Sequence, residues 1–317
     1  HRDLHSFPTR RSSDLHIIRF LHKINYLIIP EKHLTFHKFF NEVGVKDFEL
    51  KDFIQIIEEK IPKKILLKES IIESETELDS IFTYLQNTLN KRLDDSLKMR
   101  VKGLNIFLND KYTLCNISYH PMFFVPDELN TIKDDLPIER INKDFNNKFK
   151  YFLPDLGINN FSPQDLKSLI LKDFTKCNLP IELSYAVPYL NSKTKLKEVI
   201  IYLREDINLI QNPEVKKKDF TPFINGRMIK PLERKVSEEK EEQRKKDSEM
   251  LPLVLSRDNK LYPISNRMVY DLKSKYKEEF ASRYGLKSID EEIKTLFEDC
   301  GLKFPLSIGN IIDHFEK

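Results

Sequence analysis

Two segments of the chain repeat one pattern of apolar and polar residues without a gap, and this repeat limits the possible folds more than any other feature. Residues 104–118 align on residues 251–265 at a constant offset of 147 positions. In both segments apolar residues flank a polar middle, a pattern that predicts a β-hairpin. Asp258 and Asn259 suit the turn of the second hairpin because both residue types tolerate a left-handed backbone.

The gapless register indicates that a unit of roughly 150 residues is duplicated. Each copy is interpreted as a buried strand, a tight turn and a second strand, followed by helices. The alternative is that two unrelated buried hairpins share the pattern, because short apolar motifs match by chance. The predicted fold class is α+β, a helix-rich mixed fold with short β-hairpins and two related units.

Capping residues mark several helix starts. Ser74-Glu75-Thr76-Glu77 is a capping box, in which each end side chain satisfies one unpaired backbone N–H. Apolar residues then follow at spacings of three and four, which predicts one long amphipathic helix. Its stripe consists of Leu78, Ile81, Phe82, Leu85, Leu89, Leu93 and Leu97. A second helix is predicted over Lys46–Lys60, ended by Pro62. Ser162-Pro163-Gln164-Asp165 starts another, with Pro at the first helical position.

The C-terminal half gives three further predictions. Lys197–Leu203 is short, β-branched and aromatic, which favours a strand. Val269–Tyr284 is predicted to be a helix closed by Gly285. Ser288-Ile289-Asp290-Glu291 is a second capping box, and it opens a helix closed by Gly301.

The segment His5–Leu15 resembles the translation of a common short-read sequencing adapter, so it is not expected to belong to the folded protein. The chain is therefore expected to be a fragment of a larger one. Residues 233–247 contain a single apolar residue, which indicates a linker or a solvated helix. The predicted order is an adapter artefact over 1–15, a helix-rich mixed domain with the first hairpin over 16–230, a charged linker or solvated helix over 231–250, and a truncated segment with the second hairpin and helices over 251–317.

Charge and cysteine usage restrict the functional classes. The chain has 53 Lys and Arg against 50 Asp and Glu, and the formal net charge of +3 gives no general support to nucleic-acid binding. Cys115, Cys177 and Cys300 lie far apart, which indicates a reducing, cytoplasmic setting. No run reaches the roughly 18 apolar residues of a membrane span, so a soluble protein without a membrane partner is expected.

The second hairpin suggests a family. Residues 251–261, LPLVLSRDNKL, resemble the recurrent Leu-Pro-apolar-apolar, Asp-Asn or Asp-Gly, Leu segment of sacsin-like proteins. Met122–Pro126 is similar to the apolar element that follows this hairpin in the family. Those proteins are large chains in which a GHKL-type ATPase domain, akin to the chaperone ATPases, precedes long mixed α/β regions. The first hairpin departs from the motif, with Asn105 in place of Pro. The resemblance implies a middle region outside the ATPase domain.

Motifs of common catalytic sites are missing. The seven glycines never form a Gly-x-Gly pair, which excludes the phosphate-binding loops of GHKL, Walker and dinucleotide sites. His33 and His37 have the spacing of two metal ligands on a helix, but no third ligand is apparent and a solvated helix face is favoured. No cofactor is expected, and any ATPase domain would lie outside this segment. An enzyme of an unrecognised type stays open, because catalytic residues can be distant in sequence.

One segment interleaves basic and aromatic residues and is the best candidate for nucleic-acid binding. Basic side chains can pair with phosphates while aromatic rings stack on bases. A solvated loop beside buried Phe residues is the competing interpretation. The candidate residues are Lys216, Lys217, Lys218, Phe220, Phe223, Arg227 and Lys230.

Two functional hypotheses follow. The first is a non-catalytic scaffold or partner-binding segment of a large sacsin-like, chaperone-type ATPase, whose partners are other proteins or the remainder of its own chain. The alternative is a nucleic-acid-interacting segment of a multidomain microbial protein, such as a defence protein. The two differ in salt dependence, because phosphate binding weakens steeply as salt rises whereas hydrophobic binding does not.

Overall fold

The chain forms two compact units in the computed structural model. The first unit contains residues 1–125 and 137–160, and the second contains residues 126–136 and 161–317. The structure describes residues 5–7, 12–26, 28–30, 46–89, 95–118, 121–175, 180–211, 223–224, 227–228, 242–265, 269–270 and 287–301.

The first copy of the repeat begins with a parallel three-stranded sheet. Strand β1 (His5–Phe7) lies between β2 (Ile28–Pro30) and β3 (Lys46–Asp47), although it belongs to the segment that resembles a translated sequencing adapter. The adapter origin of residues 5–15 stays a prediction. Parallel strands need a long crossover connection, and helix α1 (Ser12–Lys23) lies in the connection from β1 to β2. The copy continues with α2 (Leu50–Lys60), β4 (Ile65–Leu66), α3 (Glu75–Leu89), α4 (Asp95–Gly103), β5 (Phe107–Leu108) and β6 (Thr113–Cys115). These last three strands form an antiparallel sheet in the order β4-β6-β5.

The second copy has the same two kinds of sheet in the same order, but its first helix follows β8, whereas α1 precedes β2. Its parallel sheet has β7 (Met122–Phe124) between β8 (Glu139–Arg140) and β9 (Asn159–Asn160). The copy continues with α5 (Lys143–Phe149) after β8, then α6 (Pro163–Phe174), β10 (Ile181–Glu182), α7 (Lys193–Tyr202), α8 (Arg204–Gln211), α9 (residues 242–249), β13 (Val254–Leu255) and β14 (Lys260–Tyr262). An antiparallel sheet in the order β10-β14-β13 matches the order β4-β6-β5.

Two small elements complete the described chain. Between α8 and α9, β11 (Phe223–Ile224) and β12 (Arg227–Met228) pair antiparallel. After the second hairpin, β15 (Val269–Tyr270) pairs in parallel with β16 (Lys287–Ser288), and helix α10 (Glu291–Asp299) follows. The second copy begins with the same order of elements, namely β7, β8 and then α5.

Both predicted hairpins form, and they have the same register. Leu108 pairs with Leu114 in the first hairpin, and Leu255 pairs with Leu261 in the second. The residue before the second strand has a positive φ in each case, 54° at Tyr112 and 61° at Asn259. These equivalent positions are all 147 residues apart, so the duplication predicted from the sequence is confirmed in the backbone.

Each hairpin is hydrogen-bonded to the copy that follows it. The backbone N–H of Asn142 donates to the carbonyl of Leu108 at 2.9 Å, and the N–H of Asp290 donates to the carbonyl of Leu255 at 2.8 Å. The Asn142 and Asp290 side chains also cap α5 and α10, each accepting from two backbone N–H groups. A compact unit therefore contains the hairpin of one copy and the first strands of the next.

Phe82 of α3 lies at the centre of the core of the first unit. Its ring centroid is 5.4 Å from that of Phe107, 4.6 Å from Phe145 and 5.3 Å from Phe149. These rings come from a helix and a hairpin strand of the first copy and from helix α5 of the second. Such aromatic pairs contribute roughly 0.5–1.5 kcal/mol each beyond the burial of their area. The aromatic cluster thus joins the two copies within one unit.

Several predicted helix boundaries are confirmed by their caps. Ser162 and Asp165 form a capping box at the start of α6, and the Ser74 hydroxyl accepts from the N–H of Glu77 at 3.2 Å. Helix α2 ends before Pro62 as predicted, but it begins at Leu50, since Lys46–Asp47 form β3. Helix α10 begins after Asp290 and not after Ser288, because Ser288 belongs to β16. Gly301 follows α10 with φ of 83°, as its role at the helix end requires.

The strand predicted over Lys197–Leu203 is wrong, because this segment belongs mainly to helix α7. Ser192 caps the helix by accepting from the N–H of Lys195 at 3.4 Å. Its buried residues recur at the helical spacing of three and four, and they are Leu196, Val199, Ile200 and Leu203. A short β-branched run is compatible with both structures, and here the packing of one face decided the outcome.

Two predicted helices differ from the structure. The helix predicted from Val269 is wrong at its start, because Val269–Tyr270 form β15, and residues 271–286 lie outside the described residues. The sequence predicts a single helix after the first capping box. The structure describes two helices there, α3 and α4, on either side of residues 90–94, which also lie outside the described residues.

The charged stretch over residues 231–250 is helical over residues 242–249, where Ser248 is buried and most other side chains are exposed. Both flanks of the stretch fall in the second unit, and the domain boundary predicted there stays a prediction. Among the helices that the structure describes, none is long and apolar enough to cross a membrane.

Gly157 and Gly103 give a matched test of backbone strain in the first unit. Gly157 has φ of +90°, a conformation that costs an L-residue roughly 1–2 kcal/mol, whereas the φ of Gly103 lies outside the left-handed region. We expect Gly157→Ala to lower the free energy of unfolding by about that amount and Gly103→Ala to leave it nearly unchanged. Urea unfolding measures both. Equal effects of the two substitutions would contradict the assigned conformations.

Candidate functional site

The structure describes part of the sequence-predicted nucleic-acid site. Phe223 and Arg227 lie in the antiparallel ribbon of β11 and β12, where Phe223 pairs with Met228 and Ile224 pairs with Arg227. The other predicted residues, Lys216, Lys217, Lys218, Phe220 and Lys230, lie outside the described residues. The ribbon does place Phe223 and Arg227 on neighbouring strands.

The ribbon lies in an insertion that only the second copy has. In the first copy, residues 90–94 separate α3 from α4. The equivalent helices of the second copy, α8 and α9, are separated by residues 212–241. Insertions within a repeat architecture map to loops on one face, often the binding face. We therefore treat this insertion and the residues at its base as the candidate site.

A buried ionic network lies at the base of the insertion. Asp206 of α8 is only 2% exposed, and its Oδ1 atom is 2.6 Å from a guanidinium nitrogen of Arg244 in α9 and 3.4 Å from Nζ of Lys167 in α6. The Lys167 side chain is fully buried, and its Nζ atom is also 3.5 Å from the hydroxyl of Ser248. One carboxylate therefore joins three helices of the second unit.

Burial lowers the pKa of Lys167 from its ordinary value, and attraction to Asp206 opposes this shift. A buried ammonium loses its hydration, and only a close anion keeps it charged. Arg244 is about half exposed, so the network reaches solvent on the side of α9. The arrangement binds helices together and leaves no described group of the network without a partner.

A second polar cluster holds the first hairpin. The Asn109 side chain is 1% exposed, and its Oδ1 atom accepts from the backbone N–H groups of Lys111 at 3.0 Å and Thr113 at 2.8 Å. Its amide donates to Glu139 at 3.0 Å, and Glu139 also pairs with Lys64. Burial would raise the pKa of Glu139, but the hydrogen bonds from Lys64 and Asn109 and the nearby charges lower it overall.

Cys115 lies beside this cluster and is not built as a nucleophile. The residue is 5% exposed, and burial raises the pKa of its thiol to about 11, in spite of the opposing effect of Lys64. A thiol with such a pKa is neutral at physiological pH, and the thiolate is the reactive form. Cys115 is therefore a buried apolar residue of the sheet.

The remaining candidates from the sequence give no site within the described chain. His33, His37 and Cys177 lie outside the described residues, and Cys300 is a half-buried free cysteine. Among the described residues, no three His, Cys, Asp or Glu side chains lie close enough to hold a metal ion. No protein-family model, curated protein or solved structure matches this chain.

Sequence reasoning missed the ionic network altogether. Asp206 and Arg244 are 38 positions apart, and Lys167 is more distant still. A signal was available, because Lys167 directly follows Leu166 in the apolar stripe of α6, where a charged residue is unexpected. Extending the alignment of the two copies beyond the hairpins would have revealed it.

The raised pKa of Cys115 predicts a pH effect on stability. Because the folded pKa lies above the unfolded value, burial of the neutral thiol stabilises the fold below pH about 9, and this contribution is lost as pH rises towards about 11. The free energy of unfolding of the wild type should fall by about 2–3 kcal/mol relative to Cys115→Ala over this interval. Urea unfolding at pH 8, 9.5 and 11 measures the difference, and a constant difference would contradict the assignment.

Proposed function

We propose that this chain is a non-catalytic scaffold and partner-binding segment of a large sacsin-like, chaperone-type ATPase, and that it works in the cytoplasm. The repeat carries the proposal. A parallel three-stranded sheet, a set of helices and an antiparallel sheet with the hairpin follow one another twice, and a parallel strand pair follows the second hairpin. Arrays in which each copy packs on its neighbour serve mainly to extend a surface.

The use of polar side chains supports the same proposal. Asn109 and Ser256 occupy equivalent positions in the two hairpins, both are 1% exposed, and both hold the turn by accepting from backbone N–H groups. Glu198 of α7 accepts from the N–H groups of Thr131 and Ile132 at 3.0 and 3.2 Å. Such contacts fix the connections between elements, which is what a scaffold requires.

The second candidate function is nucleic-acid binding by the insertion of the second copy. The observation that favours it is the position of β11 and β12, with Phe223 and Arg227, in a segment that the repeat itself does not need. Two-stranded ribbons can contact nucleic acids, and the surrounding sequence supplies Lys216–Lys218 and Lys230. Proteins remain the expected partners under the main proposal.

Salt dependence separates the two functions. Under the main proposal, the full chain should suppress the aggregation of a heat-unfolded client protein about equally well at 50 and 500 mM salt, because hydrophobic contacts are not screened. Nucleic-acid binding through five cations should instead lose roughly 10³-fold in affinity over the same range. Light scattering measures the aggregation of the client protein, and fluorescence anisotropy measures the binding of a labelled single-stranded oligonucleotide. Tight, salt-sensitive oligonucleotide binding without client protection would overturn the main proposal.

A pair of charge variants assigns any oligonucleotide binding to the insertion. The test variant changes Lys216, Lys217, Lys218, Arg227 and Lys230 to Gln. The matched control changes five exposed cations elsewhere to Gln, namely Arg19, Lys60, Lys63, Lys68 and Lys172. Loss of binding in the first variant alone would favour the second candidate function, and equal loss in both would indicate a non-specific effect of charge.

Sequencing of the genomic locus tests the sacsin-like assignment directly. The proposal predicts one reading frame in which a Glu-x-x-x-Asn helix and an Asp-x-Gly-x-Gly segment lie upstream of residue 16. Long-read sequencing outward from the region that encodes residues 16–317 would recover it. A short frame that begins near residue 16 and contains no such motifs would remove the assignment.

A further inference from the structure

Three of the four members of the buried ionic network stand where the first copy has apolar residues. Helices α2 and α6 both begin after a capping box, and Ile54 and Lys167 are the fifth residue of their respective helices. Both side chains are fully buried. A lysine therefore stands where the first copy has a core isoleucine.

Arg244 and Ser248 also stand at apolar positions of the first copy, and Asp206 stands at the position of a threonine. Arg244 and Ser248 are the third and seventh residues of α9, and the equivalent residues of α4 are Leu97, which is partly buried and packs against the core of the first unit, and Val101, which lies in that core. Asp206 aligns with Thr88 of α3, because the apolar stripe of α3 matches the apolar stripe that runs along α7 and α8. The matched pairs are Leu78 with Leu196, Ile81 with Val199, Phe82 with Ile200, Leu85 with Leu203 and Leu89 with Ile207.

The fold of the repeat does not require these charges. The first copy packs the same three helices with Ile54, Leu97 and Val101 at these positions. Apolar replacement of a buried ion pair is often neutral or stabilising, because the desolvation of the charges offsets much of their attraction. The packing of these three helices therefore does not account for the charges, which points to a feature that distinguishes the two copies.

The insertion is that feature, and the network encloses its ends. Asp206 lies six positions before residue 212, and Arg244 lies three positions after residue 241. Their ion pair joins the two helices that flank the insertion, while Lys167 fixes Asp206 to α6. A long loop costs little more closure entropy than a short one, but its ends need a defined separation and direction.

We propose that Lys167, Asp206, Arg244 and Ser248 form an ionic anchor that holds the two ends of the insertion and positions the β11–β12 ribbon on the second unit. The directional contacts of the carboxylate with Arg244 and Lys167 set the geometry, which apolar packing of the first-copy type does not specify as closely. The anchor is a positioning device, and its role does not depend on whether the insertion binds protein or nucleic acid.

Transplanting the first-copy residues tests the anchor. In the full chain, Lys167→Ile, Asp206→Thr, Arg244→Leu and Ser248→Val are combined. We expect the melting temperature to stay equal or rise by several degrees, since buried charges are removed. We also expect native-state cleavage by chymotrypsin at Phe223 of the ribbon to become about tenfold faster, because the ends of the insertion are released. Mass spectrometry assigns the cleavage sites.

A milder pair of variants covers the case in which the quadruple variant does not fold. Arg244→Gln removes only the half-exposed cation and leaves the Lys167–Asp206 pair in place. Lys246→Gln on the same helix is the matched control, because Lys246 pairs only with Glu242 within α9 among the described contacts. Faster cleavage in Arg244→Gln alone would support the anchor. Equal cleavage in the wild type, Arg244→Gln and Lys246→Gln would overturn it.

Discussion

The backbone hydrogen bonds between each hairpin and the following copy are the constraint on which the rest of the structure depends. Strands of two or three residues cannot stabilise a sheet by themselves, so they need neighbours on both sides and a covered face. The Asn142–Leu108 and Asp290–Leu255 bonds supply those neighbours from the next copy. The rings around Phe82 then cover the resulting surface, with helix α5 contributing Phe145 and Phe149. Neither the hairpin nor the first elements of the next copy could bury an apolar face alone.

The hairpins and the helix caps could be predicted from the sequence because their determinants are local. The Ser162–Asp165 capping box lies within one turn, and the hairpin register appears twice at one spacing. The parallel sheets could not be predicted, because strands such as Lys46–Asp47 and Asn159–Asn160 are polar, short and paired with distant residues. The misassigned segment at Lys197–Leu203 shows the same limit, since its β-branched residues fit a strand until helix packing selects one face.

The candidate site also has one part that could be predicted from the sequence and one part that could not. Its basic and aromatic residues are visible in the sequence because they are neighbours in the chain. The Lys167–Asp206–Arg244 network depends on three helices that meet only in the folded unit, and Asp206 and Arg244 alone resemble ordinary surface charges. Its significance appears when the two copies are compared, because the same positions hold Ile54 and Leu97 in the first copy. Two copies of one fold within a chain therefore act as controls for each other.

The overlap of the compact units with the sequence copies affects how such an array can grow. A recombination event that duplicates one copy adds one hairpin and one set of leading strands, wherever in the copy its breakpoints fall. The added hairpin finds leading strands behind it, and the added strands find a hairpin ahead of them. Lengthening by gene duplication thus preserves every contact between a hairpin and the strands that follow it. A deletion that does not remove a whole number of copies leaves one hairpin without its matching strands.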